Sequence, residues 1–454
     1  MHEPTYESLF TSIQKYISSQ YPNLFSHRPE EVKERIKIYC RAYCADHDIP
    51  CKEDMLSRLY RDLVEFDSFT PYLHDENVEE INLNCWNDAK VTYADGRTVP
   101  IPLSFPDEEA AKNIIQRMLQ ISKQVLDNSN PIIRTHLGTK KRISVLDGAN
   151  LTTGDGVAAS IRIVNPKKLV KKDFIANGTG SEEMLEFLQT AYRYGASICC
   201  AGATGSGKTT LIAWLLSQMP DDKRIFTIEE GVQEFNLRRC GAAGNAVNNV
   251  VQTVTRESDD LRYVVSMEDL LIQGLTFNPD YMMISETKSN EAAKKIIEAA
   301  NTGHSLITTV HANSCAAVYF RFMYLCADGS IDSGLLYTMA VEAFPITLYM
   351  KKLEDNTRRI MEINEAVTLP DGKKVMRTLY RYNVTENAVD KAGKIQIEGR
   401  FEKVHNISGH LQAKLRANGI PAAALEALLK GGKNDDIPGY NDVSLYGDRH
   451  FAIV

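Results

Sequence analysis

The sequence predicts an α/β fold whose larger part is a parallel sheet with helices on both faces. Five apolar runs, SICCAGA, RIFTIEE, YMMISE, SLITTVHA and PITLYM, lie between residue 182 and about 350 with helix-length segments between them. Strands buried on both faces read this way, because crossover helices cover the sheet above and below. A glycine-rich turn follows the first run and opens a helical segment, the arrangement of a phosphate-binding loop between strand and helix. Upstream, shorter runs alternate apolar with polar residues, which predicts a smaller, half-exposed α/β domain.

Taken in order, residues 1–66 predict a helical extension, since Met55, Leu59, Leu63 and Phe66 recur at helical spacing. Residues 67–177 predict the small α/β domain and a linker. There VEEINLN and KVTYADGRTV flank the turn signal Asp95-Gly96, and EEAAKNIIQRMLQISKQVL has helical periodicity. NPKKLVKKDFIANGTG is lysine- and glycine-rich and suits a linker. Its lysines Lys167, Lys168, Lys171 and Lys172 read as a solvated face in preference to a lipid or acidic-tail contact. Residues 178–352 form the P-loop domain on this reading. Residues 353–454 predict a hairpin, RRIMEINEAVTLPDGKKVMRTLYRYNV, followed by the helical HLQAKLRANGIPAAALEALLKG.

Composition excludes several classes. Hydrophobic residues at 43% and charged residues at 24% describe a folded chain, not a disordered or fibrous one. The net charge of −7 disfavours a nucleic-acid coat, so no stable nucleic-acid binding is expected. Nine cysteines, an odd number spread from Cys40 to Cys326, suit reduced thiols in a cytoplasmic protein. No leader pattern opens the chain and no apolar window of membrane-spanning length occurs. Any membrane link is therefore expected to run through a partner or a surface. Cys40, Cys44, His47 and Cys51 lie within twelve positions, yet their spacing matches no zinc pattern, and they read as helix-packing thiols.

The sharpest chemical signal is GATGSGKTT: Gly202, Ala203, Thr204, Gly205, Ser206, Gly207, Lys208, Thr209 and Thr210. Polyphosphate needs many N–H donors at close range, and glycines let the backbone curl around it at a helix N-terminus. Lys208 is placed to bridge the β- and γ-phosphates, and the Thr209 hydroxyl to meet Mg2+. Glu229 and Glu230 close the run RIFTIEE, where they can orient water or metal or form a solvated acid pair. Glu286 ends YMMISE, a candidate for Mg2+ through water or for the attacking water. His304 and His311 bracket SLITTV. Each is either a γ-phosphate donor or an ordinary core histidine.

The order of these motifs, GATGSGKTT, TIEE, MMISE and TGHSLITTVHANS, resembles the secretion ATPase superfamily of type II secretion, type IV secretion and type IV pilus assembly. SFTPYLHDENVEEINLN, NPIIRTHLGTKKRISVLDG and ASIRIV extend the resemblance upstream, to roughly residues 55–350. Within it the chain looks most like the tight-adherence pilus and type IV secretion branch, since Cys240, Cys315 and Cys326 lack the spacing of a four-cysteine metal insertion. The resemblance implies a RecA-like ATPase domain behind a smaller N-terminal domain, ATP and Mg2+ as cofactors, and a homo-hexameric ring whose domains swing on each other. It implies an acidic box at Glu229 and Glu230, with Glu229 the preferred base for the attacking water, and a Walker B position at Glu286. His304 and His311 take the histidine-box positions, and Arg142 and Arg162 act as arginines that neutralise phosphate charge. The implied partner is a membrane-embedded secretion or pilus platform, with the protein peripheral at the inner face of the cell membrane.

Departures from the family pattern fall at Glu230, where Asp is common, at Ser285, where Gly is common, and at Thr276 and Lys288, where arginines are common. Lys does not reproduce a two-pronged guanidinium contact. Two other readings follow: a DNA-translocating RecA-like motor, and a poorly hydrolysing ATP-binding scaffold. Arg256 is read as an interface arginine or a surface charge.

Overall fold

The computed structural model describes residues 29–433 apart from 57–58, 60–65, 104, 123, 138–140, 148–150, 152–155, 164–168, 242–243, 257–260, 302, 330, 370, 390–392 and 394, together with 9, 12, 13 and 16. Two compact units divide it, Met1–Asn165 and Pro166–Val454.

The first unit holds a six-stranded antiparallel sheet in the order β3-β2-β1-β6-β5-β4. Its strands are β1 (Val78–Cys85), β2 (Asp88–Tyr93), β3 (Thr98–Pro100), β4 (Ile132–His136), β5 (Lys141–Leu146) and β6 (Ala158–Ile163). Helix α2 (Glu108–Gln120) follows α1 (Pro29–Asp46) in the chain and buries Ala111, Ile114, Ile115, Met118 and Leu119 in the same core as Ile81, Ile143 and Ile161. Asp107 caps α2 by accepting from Ala110 N at 2.8 Å, with Glu108 and Glu109 in its first turn. The helix stops at Gln120, short of its periodic pattern. There the Ser122 hydroxyl donates to Leu119 O at 3.0 Å, and a serine that bonds its own backbone favours an end over a further turn.

The helical stripe of the extension is divided between two clusters. Leu59 packs with Leu56, Ile36, Cys40 and Cys44, whereas Phe66 packs on the sheet core; Leu63 lies outside the described residues. Burial pushes both the Cys40 and the Cys44 thiols up to about 12, and His47 Nδ1 sits 2.8 Å from Tyr43 O. The two thiols are packing elements of the helical cluster, and His47 is exposed.

The second unit is built on one nine-stranded sheet, ordered β15-β14-β13-β12-β7-β11-β10-β8-β9. Strands β7 (Ile198–Ala201), β8 (Ile225–Glu229), β9 (Val250–Val254), β10 (Tyr281–Ile284), β11 (Ser305–Val310) and β12 (Ile346–Lys352) run parallel. All five apolar runs are strands, and β7, β8, β10 and β11 are buried along their length. Helices α3 (Glu182–Arg193) and α4 (Lys208–Ser217) cover one face. Helices α5 (Met267–Thr276), α6 (Asn290–Asn301), α7 (Cys315–Cys326) and α8 (Ser333–Ala343) cover the other. From β7 the chain jumps to β8, three places away, fills inward through β10 and β11, then crosses to β12 on the far side of β7. That reversal makes the C-terminal end of β7 a switch point, where doubly wound sheets hold ligands.

Strands β13 (Arg358–Thr368), β14 (Lys374–Val389) and β15 (Ile395–Lys403) continue the sheet antiparallel beyond β12. Helices α9 (Gly409–Ala417) and α10 (Ala422–Leu428) follow and join the α3/α4 core. The stretch that reads as a linker is partly structured. Residues Lys171–Ala176 are helical, Lys171 pairs with Glu186 at 2.6 Å and Glu182 at 3.1 Å, and Phe174 packs on Trp214 with ring centroids 5.5 Å apart. Lys167 and Lys168 lie outside the described residues.

Candidate nucleotide site

The P-loop leaves the C-terminal end of β7 and enters α4 through Gly207, whose φ of 96° is left-handed and suits glycine. At Gly202 the constraint is space as well as angle: φ is 149°, and a Cβ would lie 2.3 Å from Met350 O on β12. Lys208, 8% exposed, donates through Nζ to Gly202 O at 2.7 Å and Ala203 O at 2.9 Å. The lysine thus ties the first turn of the helix to the mouth of the loop. An open hollow of ≈ 370 Å³ lies here, lined by Gly202, Ala203, Thr204, His311, Ala312 and Asn313.

Four neighbouring strand ends then contribute one connected set of polar groups. His311, just past β11, places Nδ1 3.1 Å from Gly202 O and Nε2 2.9 Å from Glu286 Oε1. Glu286 and Lys288 follow β10, and Glu230 follows β8. Lys288 Nζ lies 3.1 Å from Glu286 Oε2 and 2.6 Å from Glu230 Oε2. Partial burial pulls the Lys288 ammonium down, but its pairing with both carboxylates outweighs this and holds it above the ordinary lysine range. One cation therefore offsets two like charges that would otherwise repel. Thr209 is half-buried in the first turn of α4. Thr209 and Glu286 offer only hard oxygen donors, and among the described residues no three His, Cys, Asp or Glu side chains converge. That donor set fits Mg2+, which keeps waters and binds largely through substrate phosphates.

Glu229 behaves differently from its neighbour. It shares the side of β8 on which Ile225 and Thr227 lie and has no exposure. Its Oε2 accepts from Phe235 N at 2.9 Å and from Glu234 N, tying the segment after β8 back onto the strand. Burial pushes its carboxyl up to about 7 against the pull of those two N–H groups. The reading of Glu229 as the preferred base for water meets a carboxylate locked inside the fold, whereas Glu230 is the acid turned to the site.

This placement fixes a pH dependence. A glutamate free in the unfolded chain titrates near 4.3, so the folded state holds the Glu229 proton more tightly. The resulting stability is full below the unfolded value and is lost as pH rises through about 7. Glu229→Gln is expected to remove on the order of 2 kcal/mol of this fall between pH 5 and 8. Thermal unfolding of both proteins across that range is the check; parallel pH profiles would contradict it.

His304 is not brought to this edge. It precedes β11, so the strand of roughly 20 Å separates it from the P-loop, and its carbonyl accepts from Ser197 Oγ at 3.4 Å at the start of β7. Arg256 is exposed and donates through Nε to Tyr263 O at 2.6 Å; Thr276 Oγ1 donates to Gln273 O at 2.7 Å. In the first unit Arg142 on β5 and Arg162 on β6 are directly paired across the antiparallel ladder. Ile143 and Ile161, one residue on and one back, point into the core, so both arginines lie on the opposite face of that sheet.

Sequence reasoning missed Arg358. Its Nε donates to Gly205 O at 2.9 Å. The signal was the turn Asp355-Asn356, where Asn356 adopts φ 65° and returns the chain beside β12.

The family described as "Type II/IV secretion system protein" matches residues 71–418. Among curated relatives, an uncharacterized protein of Methanocaldococcus jannaschii is 26% identical over 69% of this chain, which spans 54% of that relative's length. The type IV secretion system protein VirB11 of Bartonella henselae is 24% identical over 64% of this chain and 89% of its own. Among solved structures, the ATPase DotB of Legionella pneumophila is similar at 19% identity and a TM-score of 0.44, over 67% of this chain and 77% of that one.

Proposed function

We propose that this chain, which belongs to the type II/IV secretion system protein family, is a Mg-ATP-hydrolysing motor that powers pilus assembly or the export of protein or DNA. The observation that carries the reading is the continuous polar set Gly202–His311–Glu286–Lys288–Glu230 beside Lys208. Hydrolysis forms a bond from a water oxygen to the γ-phosphorus as the bond to the β–γ bridging oxygen breaks. Glu286 and Glu230 would orient that water and receive its proton; Lys208 and the P-loop amides would hold the departing β-phosphate charge. Mg2+, when held by Thr209 and by Glu286 through water, would neutralise charge on the phosphates.

Arg142 and Arg162, paired on an exposed sheet face, would supply cations to a nucleotide as domains close in a homo-hexameric ring. The remaining partner is a membrane-embedded platform, with the protein cytoplasmic and peripheral. No helix among the described residues is long and apolar enough to cross a membrane. A second reading, a slow scaffold that binds ATP, is favoured by Lys288, which occupies both candidate carboxylates.

Mg-dependent ATP turnover measured against protein concentration, with mass at each point and with or without single-stranded DNA, tests this. Turnover that rises with ring formation is expected. ATP binding without turnover points to the scaffold, concentration-independent turnover removes the shared-site ring, and stimulation by DNA favours a DNA translocase.

A further inference from the structure

The P-loop has two sides. Glu286, Lys288 and His311 follow β10 and β11, on one side of β7, so a γ-phosphate meeting them points that way. The nucleoside end of the same nucleotide must leave toward the other side, where β12 and β13 lie. The turn between those strands carries a cationic edge: Lys351 and Lys352 are exposed, and Lys352 is paired across the ladder with Arg358. Directly paired residues share a sheet face. Met350, two residues before Lys352, shares that face as well, and its Cε would lie 3.4 Å from a Cβ on Gly207, as would Arg358 Cδ. The arginine stem therefore lies over the P-loop glycine while its Nε holds Gly205 O.

The neighbouring Arg359 is committed elsewhere. It donates to Gly178 O and lies 4.9 Å over the Tyr382 ring. Of the two acids of the turn, Asp355 accepts from Thr357 N and Thr357 Oγ1 and from Ile397 N, and Glu354 is exposed.

We infer that Arg358, with Lys352 beside it, contacts the nucleoside end of the bound nucleotide at its α-phosphate, making the β12–β13 turn a wall of the site. The inference rests on the proposed nucleotide function. A guanidinium suits the place, since it stays charged and its planar fork matches the geometry of a phosphate.

The test uses the full chain and fluorescent ADP, displaced by unlabelled ADP or by inorganic phosphate, which carries neither the α-phosphate nor the nucleoside. Arg358→Ala is expected to weaken ADP about tenfold and inorganic phosphate by no more than about twofold. Lys352→Ala leaves the Gly205 bond in place and is expected to weaken ADP about threefold, which keeps the test open if Arg358→Ala folds poorly. Equal losses for both ligands would mean that Arg358 only braces the P-loop, and unchanged ADP affinity in both variants would also overturn the inference. A wild-type protein that binds no nucleotide sinks the functional reading itself.

Discussion

Lys208→Ala should leave the protein folded and bring ATP turnover to background, with nucleotide affinity down by about a hundredfold or more. The wild-type side chain is 8% exposed and its ammonium bonds two loop carbonyls, Gly202 O and Ala203 O. Alanine deletes both bonds and the only cation inside the described P-loop segment, so developing charge between the β- and γ-phosphates loses a fixed counter-charge. Helix α4 should survive, because Leu211, Ile212, Trp214, Leu215 and Leu216 anchor it in the core and Ala is a good helix former. Titration with fluorescent nucleotide and single-turnover hydrolysis, beside an unfolding curve, separate lost chemistry from lost fold. Turnover within threefold of wild type would place the chemistry away from the P-loop.

The physical reasons for what could be read beforehand are visible in single elements. Strands β7, β8, β10, β11 and β12 announce themselves because helices on both faces demand continuous apolar runs. Strand β9 does not, since VVQTV is half-buried at a sheet edge and its placement depends on pairing with β8. The two histidines around SLITTV look equivalent in the sequence. Only the parallel pairing of β11 with β7 decides that His311, at the C-terminal end, reaches the P-loop and that His304 does not. Glu229 and Glu230 are adjacent, yet strand alternation sends the first into the fold, and beyond the end of β8 the second turns to Lys288. Arg358 reaches Gly205 across 153 positions of sequence, through a sheet extension whose partners no local pattern names. Local signals reveal what a residue's immediate neighbours impose; sheet direction and strand order are long-range facts.

Glu286→Gln carries the second large effect and separates chemistry from binding. The substitution keeps shape and removes charge, so the P-loop, Lys208 and α4 are untouched and ADP affinity should change by less than about threefold. Turnover should fall by about a hundredfold to a thousandfold. In the native site one carboxylate oxygen faces His311 Nε2 at 2.9 Å and the other faces Lys288 Nζ at 3.1 Å. An amide keeps an acceptor for the Lys288 ammonium and turns its NH2 to His311 Nε2, the ring nitrogen opposite the Nδ1 that faces Gly202 O, so the shape of the set is kept while its charge is lost. Lys288 would keep its ion pair with Glu230 alone, at 2.6 Å, and the set would lose the carboxylate at its middle member. Equilibrium binding of ADP and a single-turnover rate, measured on the same preparation, are the check. Intact binding with lost turnover places Glu286 at the reacting water or its metal, whereas wild-type turnover would move that role to Glu230. Loss of binding in parallel with turnover would instead make Glu286 a brace for His311, and through Gly202 for the P-loop itself.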